Sequence, residues 1–389
     1  MTLIQQQDAE YIASTYSRFP VTFVSGEGAT LTDESGSKYI DMGSGIAVNS
    51  FGYGDQEWVA AVAQQAATLP HVSNLYYTTP QVKLAKELCT RTGMKKVFFG
   101  NSGAEANECA IKVARKYAAD KHGENVKPVI ITLENSFHGR TLATLAATGQ
   151  DVFHHTFGPF PQGFRHVPAG DAAALQTALE AGDVCGLLIE TVQGEGGVNC
   201  LTPEYIKAAY DLCNQNDILL MIDEVQTGNG RTGKLFSYQN FGIMPDVVTT
   251  AKGLAGGLPM GACLMGVKVQ DTMTPSSHGS TFGGNPVCAA AALSVITRMT
   301  DDFLLEVTQK GEYILSQLGG AQGVLSISGS GLMLGIETTK NAGELVRALL
   351  HRGVVTLTAK NKLRLLPPLS ISWVELEIAC NIIKEELAK

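Results

Sequence analysis

Short apolar runs of strand length alternate with helical patterns along most of this chain, and this alternation constrains its fold more than any other feature. The runs VIITL (129–133), GLLIE (186–190), ILLMID (218–223) and DVVTT (246–250) each have the length of a strand that is buried on both faces. Strands of this kind, separated by helices, are typical of a parallel sheet covered by helices on both sides. The sequence therefore predicts an α/β fold with one large central sheet.

Signals at the ends of predicted helices support the same interpretation. Thr79 and Pro80 open a helix that Gly93 ends, because threonine is favoured at the N-cap, proline in the first turn and glycine after the last turn. VFF at 97–99 follows as a strand, and a second helix covers about 104–121. Helix and strand thus already alternate before residue 130.

The length of the chain and its pattern of helices and strands predict two domains and an N-terminal segment. A chain of 389 residues is too long for one compact core. Residues 51–285 are expected to form the large domain. Residues 286–389, with strands near 324–338 and a last helix from about 373, are expected to form a small α+β domain. Residues 1–50 have the pattern of hairpin strands with glycine turns and are expected to pack with the small domain.

Charge and cysteine content argue against several classes of protein. The net charge of -8 and the pI near 5.5 disfavour a nucleic-acid or anionic membrane surface, and a small-molecule partner fits better. The eight cysteines are scattered singly, with neither a CxxC pair nor a histidine cluster at metal-ligand spacing, so we expect reduced thiols and no metal site. The N-terminus lacks a signal-peptide pattern and no stretch approaches a membrane span, so the expected compartment is the cytoplasm.

The segment GNSGAEA at 100–106 is the first candidate binding site. It follows a strand and opens a helix, so unpaired backbone N–H groups and the positive end of a helix dipole meet there, which suits a phosphate. Taken alone, an ordinary strand-to-helix turn is the more common explanation of such a segment. The segment lacks the lysine spacing of Walker A and the GxGxxG pattern, so nucleotide binding is the weaker form of the phosphate hypothesis.

Asp223 and Lys252 are the second and third candidates. Asp223 ends the most apolar predicted strand, at the sheet edge where α/β proteins bind ligands. Its carboxylate could pair with the protonated ring nitrogen of a cofactor, ligate a metal or make a structural hydrogen bond. Lys252 follows DVVTT in a glycine-rich turn, where a lowered pKa would favour formation of a Schiff base, whereas most lysines are surface charges.

These candidates occur in a fixed order with further motifs. The motifs are NSGAEAN, FHGRT, ETVQGEGG, IDEVQTGNGRTG, TTAKGLAGGLPMGA and GSTFGGNP. Their combination resembles the class III aminotransferases, enzymes of fold type I that depend on pyridoxal 5'-phosphate (PLP), over essentially the whole chain. The resemblance implies a mainly parallel seven-stranded sheet flanked by helices in the large domain. It also implies PLP as the cofactor and a homodimer with active sites at the subunit interface.

The resemblance assigns roles to residues of the cofactor site. Lys252 would form the Schiff base with the cofactor and act as acid-base catalyst, and Asp223 would pair with the ring nitrogen. The other expected contacts are Ser102, Gly103 and Ala104 in the phosphate loop, Phe137 and Val225 on the two ring faces, Gln226 at the 3'-oxygen, and Thr281 at the phosphate of the neighbouring subunit. Glu190 and His138 are expected to orient their neighbours and not to react.

Substrate carboxylates require guanidinium groups, which bind them bidentately. The resemblance places the donor's carboxylate on Arg140, together with Ser280 of the partner subunit. It places a second carboxylate on Arg364, with Glu195 as a gate that neutralises Arg364 until 2-oxoglutarate binds. Tyr16 would line the donor pocket. For either arginine a surface salt bridge is the alternative interpretation, and for Glu195 a loop charge.

The resemblance implies transfer of the terminal amino group of N2-acetyl-L-ornithine to 2-oxoglutarate with ping-pong kinetics, as in arginine biosynthesis. Ornithine, 4-aminobutyrate and succinyl-diaminopimelate are alternative donors, because one cofactor site serves them all. Two other classes are a regulatory or scaffolding protein without turnover and a nucleotide-binding α/β protein. Retention of Lys252, Asp223 and both arginines argues against the first, and the missing Walker and Rossmann spacings argue against the second.

Overall fold

A computed structural model describes residues 2–123, 126 and 128–389 of the chain. The helices are α1 (Leu3–Tyr11), α2 (Ser44–Ala47), α3 (Gln56–Thr68), α4 (Thr79–Thr92), α5 (Gly103–His122), α6 (Leu142–Ala147), α7 (Ala172–Leu179), α8 (Pro203–Gln215), α9 (Pro286–Ile296), α10 (Asp301–Leu318), α11 (Ala342–His351) and α12 (Trp373–Ala388). Short 3-10 turns lie at Asp151–Phe153, Ser237–Phe241 and Lys252–Ala255. None of the helices in this described part is long and apolar enough to cross a membrane.

The strands belong to several sheets. They are β1 (Phe23–Glu27), β2 (Thr30–Asp33), β3 (Lys38–Asp41), β4 (Lys96–Gly100), β5 (Val129–Leu133), β6 (Phe164–Val167), β7 (Val184–Ile189), β8 (Val192–Gln193), β9 (Asn199–Cys200), β10 (Leu219–Asp223), β11 (Val247–Thr250), β12 (Gly261–Met265), β13 (Val324–Ser330), β14 (Met333–Thr338), β15 (Val354–Val355), β16 (Leu357–Ala359) and β17 (Lys362–Leu365). The largest sheet has seven strands in the order β4-β12-β11-β10-β7-β5-β6.

Strand direction in this sheet follows from the length of the connections. The strand pairs from β11 to β6 are parallel, whereas β12 is antiparallel to both β4 and β11. Only residues 251–260, which contain a 3-10 turn and no α-helix, connect β11 to β12, and a parallel crossover needs a dozen or more residues. The sheet confirms the predicted α/β fold with a mainly parallel, seven-stranded sheet.

The apolar runs that predicted buried strands form the middle of this sheet. β5 has the predicted bounds, and β7, β10 and β11 differ from the predicted runs by at most two residues at either end. Every side chain of β10 is buried, which explains why its sequence shows no alternation of apolar and polar residues. The sequence prediction does not include β6 or β12. FRHV in β6 contains two polar residues, and GACLM in β12 contains no β-branched or aromatic residue.

Helix α4 shows how local sequence determines helix ends. Pro80 lies in its first turn, although the N-cap residue is Thr78 and not the predicted Thr79. Gly93 ends the helix in the left-handed conformation (φ 76°), and its N–H donates to the Cys89 carbonyl at 3.0 Å. Glycine adopts this conformation without the steric cost that a Cβ imposes. The helix therefore ends where the sequence predicts.

Two four-stranded sheets contain strands from the N-terminal and C-terminal parts of the chain. The antiparallel sheet β13-β14-β17-β16 packs with α10 and α11, and α12 packs against both helices. The sheet β1-β2-β3-β15 pairs the N-terminal strands with Val354 and Val355 in the C-terminal part. Helix α9, at the predicted start of the C-terminal domain, packs against α3 and α4. The boundaries 1–50, 51–285 and 286–389 stay predictions.

Candidate active site

A cavity of about 480 Å³ lies at the edge of the central sheet where the parallel strands end. The segments that follow β4, β5, β7, β10 and β11 supply its walls, because the carboxyl ends of parallel strands meet at one edge. The predicted site residues that line it are Ser102, Gly103, Ala104, Phe137, Arg140, Glu195, Asp223, Val225, Gln226 and Lys252. Arg364 is ion-paired with Glu195, whereas Tyr16, Ser280 and Thr281 do not line the cavity of their own chain.

Helix α5 begins at one wall of the cavity. Ser102 is its N-cap, and the Ser102 hydroxyl accepts a hydrogen bond from the Glu105 N–H at 3.2 Å. The N–H groups of Gly103 and Ala104 have no acceptor within the described part of the chain, so they are available to an anion. A Cβ on Gly103 would lie 2.7 Å from Cγ1 of Val225. Glycine at this position therefore allows Val225 to pack against the start of the helix.

Asp223 ends β10 with a buried carboxylate whose oxygens are both engaged. Oδ2 accepts hydrogen bonds from Asn107 Nδ2 and from His138 Nδ1, each at 2.8 Å. Oδ1 accepts from the Val225 N–H at 3.0 Å. Asn107 is itself held by the Thr249 hydroxyl, which donates to Asn107 Oδ1 at 2.6 Å. These contacts fix the orientation of the Asp223 carboxylate at the cavity.

Asn107 is a site residue that sequence reasoning missed. It is buried, lines the cavity and also donates to the His138 carbonyl at 2.8 Å. A signal was present in the NSGAEAN motif. Residues 103 and 107 are four apart in a helix, and this spacing places them on the same face. The helix face that begins at Gly103 therefore also carries the residue that supports Asp223.

Glu190 joins two loops that form the cavity. Its Oε2 accepts a hydrogen bond from the Phe137 N–H at 3.0 Å, and its Oε1 accepts from the Gly194 N–H at 3.3 Å. Burial raises the pKa of Glu190 to about 7, although the nearby His138 opposes the shift. The carboxyl group thus links the loop of Phe137 to the loop of Glu195.

The backbone at Lys252 is held in a conformation that is rare for residues other than glycine. Its φ is 44°, in the left-handed region, and such a residue persists only where its surroundings support it. Asn229 Nδ2 donates to the carbonyl of Ala251, directly before the lysine, at 3.0 Å. A Cβ on Gly253, directly after it, would lie 2.7 Å from Ser50 Oγ. Close packing on both sides therefore fixes where the lysine side chain begins.

The surroundings of the Lys252 amine favour its neutral form. Burial lowers the pKa of Lys252, the attraction of Glu195 opposes this shift, and the positive charge of Arg364 adds to it. A neutral amine is the form that attacks a carbonyl group and accepts a proton. The residue can therefore act as a nucleophile and as a base.

These groups fit the cofactor that the sequence implies. The free N–H groups of Gly103 and Ala104 suit a phosphate, the buried carboxylate of Asp223 suits a protonated ring nitrogen, and the amine of Lys252 suits an aldehyde. PLP carries a phosphate, a ring nitrogen and an aldehyde. Across residues 2–123, 126 and 128–389, no cluster of three or more histidine, cysteine or carboxylate side chains is arranged to hold a metal ion.

The two candidate carboxylate-binding arginines have different surroundings. Arg364 is 3% exposed, and its Nη1 lies 2.6 Å from Glu195 Oε1. Gln226 connects both partners, because its Oε1 accepts from Arg364 Nη1 and its Nε2 donates to Glu195 Oε1, each at 3.3 Å. Burial opposes ionisation of Glu195, but Arg364, with smaller contributions from Lys252 and Gln226, lowers the pKa of Glu195 overall. Arg140, by contrast, is exposed at the cavity.

Ser280 and Thr281 lie on the surface near the cavity. The Ser280 hydroxyl accepts hydrogen bonds from Asn101 Nδ2 at 3.1 Å and from the Gly283 N–H at 3.0 Å. Thr281 is exposed, and both residues line a separate surface depression with Phe98. Tyr16 is also exposed, with 73% of its surface accessible. The single chain therefore does not bring these three residues to the cavity.

Known proteins share both the sequence and the structure. A family model described as aminotransferase class-III matches residues 11–387. The acetylornithine aminotransferase of Haemophilus ducreyi is 51% identical over 388 residues, which cover 99% of this chain and 98% of that protein. The ornithine aminotransferase of Toxoplasma gondii, in a structure that reveals partial occupancy of PLP at its active site, is 30% identical. The match has a TM-score of 0.94 and covers 99% of this chain and 94% of the Toxoplasma gondii chain.

A third relative has the same named activity as the Haemophilus ducreyi protein and a solved structure. The N-acetylornithine aminotransferase of Stenotrophomonas maltophilia is 34% identical, with a TM-score of 0.85, and the match covers 98% of each chain. At this identity and coverage, the likeness extends over the central sheet and the smaller sheets.

Proposed function

Because this chain belongs to the class III aminotransferases, we propose that it transfers the terminal amino group of N2-acetyl-L-ornithine to 2-oxoglutarate. The products are N-acetyl-L-glutamate 5-semialdehyde and L-glutamate, as in arginine biosynthesis. The observation that carries the proposal is one cavity that holds Lys252, Asp223 and Arg140, with Arg364 paired to Glu195. The choice of donor is supported by the relatives from Haemophilus ducreyi and Stenotrophomonas maltophilia.

PLP, the proposed cofactor, supplies an electron sink that stabilises negative charge on the carbon next to the transferred amine. Lys252 Nζ would anchor the cofactor through its aldehyde carbon. Lys252 Nζ would also be the group that takes and returns the proton of the donor carbon that bears the amine. The lowered pKa of Lys252 suits this role, because a neutral amine is the base. One group thus serves as both anchor and acid-base catalyst.

The other cavity residues hold the cofactor in place. Ser102, Gly103 and Ala104 would bind its phosphate at the start of α5, where N–H groups and the helix dipole attract an anion. Asp223, oriented by its hydrogen bonds, would pair with the ring nitrogen and favour its protonated form. The remaining cofactor contacts are Phe137 and Val225 on the ring faces and Gln226 at the 3'-oxygen. These residues would together hold the cofactor beside Lys252.

The arginines distinguish the two substrates. Arg140 binds the donor's carboxylate, and Tyr16 lines the donor pocket. Glu195 neutralises Arg364 while the donor is bound and moves away when 2-oxoglutarate brings a second carboxylate. Donor and acceptor then use one site in turn, which predicts ping-pong kinetics.

The active unit is a homodimer in the cytoplasm. Ser280 and Thr281 lie outside the cavity of their own chain. In a dimer, Thr281 of the partner subunit would contact the cofactor phosphate, and Ser280 of the partner subunit the donor carboxylate. Large apolar side chains, among them Tyr77 (98% exposed) and Phe282 (59% exposed), lie on the surface and suit a subunit interface. The compartment is supported by the eight cysteines, all of which are free.

A comparison of donors tests this proposal. Purified protein loaded with PLP is mixed with 2-oxoglutarate and, in separate assays, with N-acetylornithine, ornithine, 4-aminobutyrate or succinyl-diaminopimelate, and the formation of glutamate is measured. We expect the highest kcat/KM for N-acetylornithine. A higher value for another donor would replace the proposed substrate and leave the aminotransferase assignment intact.

The Lys252→Ala variant tests the role of Lys252 in the reaction. We expect it to lose transamination and to retain some PLP without a covalent bond, because the phosphate and Asp223 contacts remain. Bound PLP is measured by absorbance after gel filtration. Turnover at the wild-type rate in this variant would contradict the role given to Lys252.

A further inference from the structure

Two aromatic rings surround the guanidinium group of Arg140. Its central carbon lies 4.1 Å from the ring centroid of Phe153 and 5.4 Å from that of Phe137. The ring centroids are 5.9 Å apart and the ring planes meet at 77°, so the rings form a corner around the guanidinium. Within the described residues, Arg140 has no side-chain hydrogen bond or ion pair. The rings are therefore the contacts that orient it.

The contacts with the two rings leave the N–H donors of Arg140 available to a carboxylate. A cation over an aromatic face is attracted by the ring quadrupole, and this attraction uses none of the N–H donors. A carboxylate partner would instead neutralise the guanidinium and occupy its donors, as Glu195 does for Arg364. Arg140 therefore keeps its full charge and its fork of donors while it is held in place.

The shorter of the two contacts comes from a residue outside the cavity. Phe153 ends the 3-10 turn Asp151–Phe153 and does not line the cavity, whereas Phe137 does. The turn is anchored on both sides. Gln150 Nε2 donates to the Ser136 carbonyl at 3.1 Å, and His154 Nε2 donates to the Leu145 carbonyl at 2.9 Å. The ring of Phe153 is thus presented to Arg140 by a fixed segment.

We propose that Phe153 is the positioning residue of the substrate-carboxylate site, and that it acts by holding Arg140 through its ring face. The inference rests on the proposed function, because it takes Arg140 as the residue that binds the donor's carboxylate. Phe153 sets the affinity for substrates that carry this carboxylate. It has no effect on the chemistry at Lys252.

The test compares Phe153→Leu with Phe153→Tyr in the PLP-loaded protein. Leucine keeps an apolar side chain and removes the ring, whereas tyrosine keeps the ring face. We expect Phe153→Leu to raise the KM for N-acetylornithine about three- to ten-fold and to change kcat by less than about two-fold. Phe153→Tyr should have the same KM for N-acetylornithine as the wild type. The visible absorbance of bound PLP should be the same in all three proteins.

Two further measurements separate positioning from a general structural effect. Pentylamine is a primary amine without a carboxylate, and we expect Phe153→Leu to leave the kcat/KM for pentylamine at the wild-type value. In an Arg140→Met background, Phe153→Leu should have no further effect on the KM for N-acetylornithine, because the residue acts through Arg140. Equal losses with pentylamine, or an undiminished effect in the Arg140→Met background, would overturn the inference. Should Phe153→Leu fail to fold, Phe153→Met gives the same comparison.

A binding assay distinguishes failure of the inference from failure of the proposed function. Glutarate carries carboxylates but no amine or ketone, so its dissociation constant reports carboxylate binding without turnover. Weaker binding of glutarate to Phe153→Leu than to the wild type supports the inference even if no donor reacts, and in that case the proposed function alone is wrong. Equal binding to both proteins, or no binding to the wild type, overturns the inference even if N-acetylornithine is a good donor.

Discussion

Individual residues at the cavity make contacts so close that few substitutions are compatible with them. Gly103 is one such residue, because an added Cβ would lie 2.7 Å from Cγ1 and 2.9 Å from Cγ2 of Val225. We expect Gly103→Ala to raise the dissociation constant for PLP about ten-fold, since either Val225 or the start of α5 must move. Fluorescence titration with PLP measures the change.

A matched control for this substitution exists in another helix. Gly343 also lies in the first turn of its helix, α11, and a Cβ there would meet nothing closer than 3.3 Å. Gly343→Ala should leave the dissociation constant for PLP at the wild-type value. Equal effects of both substitutions would show that the Val225 contact has no special importance.

Glu195 is expected to determine which substrate Arg364 accepts. Replacing it by glutamine removes the negative charge that lies 2.6 Å from Arg364 Nη1. Arg364 is then free to bind a second carboxylate, which L-glutamate carries and N-acetylornithine lacks. We expect the ratio of kcat/KM for L-glutamate to that for N-acetylornithine to rise about ten-fold in Glu195→Gln. An unchanged ratio, equal to that of a surface variant such as Glu204→Gln, would argue against a gate.

Glu190 should make stability depend on pH. Its pKa is about 7 in the folded chain, where burial disfavours the charge, against 4.5 for an ordinary glutamate. Between these values the folded chain holds a proton that the unfolded chain releases. The contribution of Glu190 to stability is therefore present below about pH 4.5 and is lost as pH rises through about 7.

Urea unfolding of the PLP-free protein checks this sign. The free energy of unfolding is measured at about pH 5 and about pH 8 for the wild type and for Glu190→Gln, which cannot titrate. We expect the wild type to lose more stability than the variant between these two conditions. Equal losses in the two proteins would mean that Glu190 is already charged in the folded chain throughout this range.

The helices and strands depend on end signals that the local sequence supplies. Helix α12 begins with a capping box, in which the Ser372 hydroxyl accepts from the Glu375 N–H at 3.2 Å and Glu375 Oε2 accepts from the Ser372 N–H at 3.1 Å. The other oxygen of Glu375 accepts from the Thr30 hydroxyl at 2.9 Å. The helix start is thus tied to strand β2 near the other end of the chain.

Loss of this cap should cost measurable stability without changing the active site. We expect Ser372→Ala to lower the free energy of unfolding by about 1 kcal/mol, because the Glu375 N–H loses its acceptor and Glu375 Oε2 loses the hydroxyl donor. Ser316, near the end of α10, is a suitable control, since its hydroxyl donates to the Tyr313 carbonyl and caps no helix start. Ser316→Ala should change stability by less than about 0.5 kcal/mol in the same urea titration.

In the molecule as a whole, a buried arginine joins parts that are far apart in sequence. Arg231 is 2% exposed, and its Nη1 donates to the carbonyls of Leu332 at 3.0 Å and Pro367 at 2.6 Å. Its Nη2 lies 3.5 Å from Ser44 Oγ, in the N-terminal segment. The segment after β10, which carries Gln226, is thereby fixed to the C-terminal sheet that carries Arg364.

The proposed dimer gives a prediction for the intact molecule. The surface near Thr281 includes Phe282 and Tyr77. The segment of Tyr77 is joined to the segment of Phe282 by Asn74, whose Nδ2 donates to the Gly283 carbonyl at 2.8 Å. A charge in this apolar surface opposes association. We expect Tyr77→Asp to shift the protein towards monomer in analytical ultracentrifugation and to lower activity in parallel.

A second exposed apolar residue serves as the control for the dimer. Leu325 is 62% exposed and lies in β13, in the four-stranded sheet β13-β14-β17-β16. Leu325→Asp should leave the sedimentation coefficient and the activity unchanged. Full activity in monomeric Tyr77→Asp would refute the contribution of the partner subunit to the site.

The sequence by itself determined what depends on local patterns. Apolar runs of strand length predicted the middle strands of the sheet, because burial on both faces demands continuous apolar residues. Proline and glycine marked the ends of α4. Motifs in a fixed order indicated the family and named most of the residues that line the cavity.

Only the tertiary structure decided how distant residues meet. Asn107 and Asp223 are separated by 116 positions, and no local pattern reports the hydrogen bond between them. The same holds for the antiparallel direction of β12, for Glu190 between two loops and for Arg140 in its aromatic corner. These features depend on packing between segments, and packing is a property of the folded chain that its periodicity does not encode.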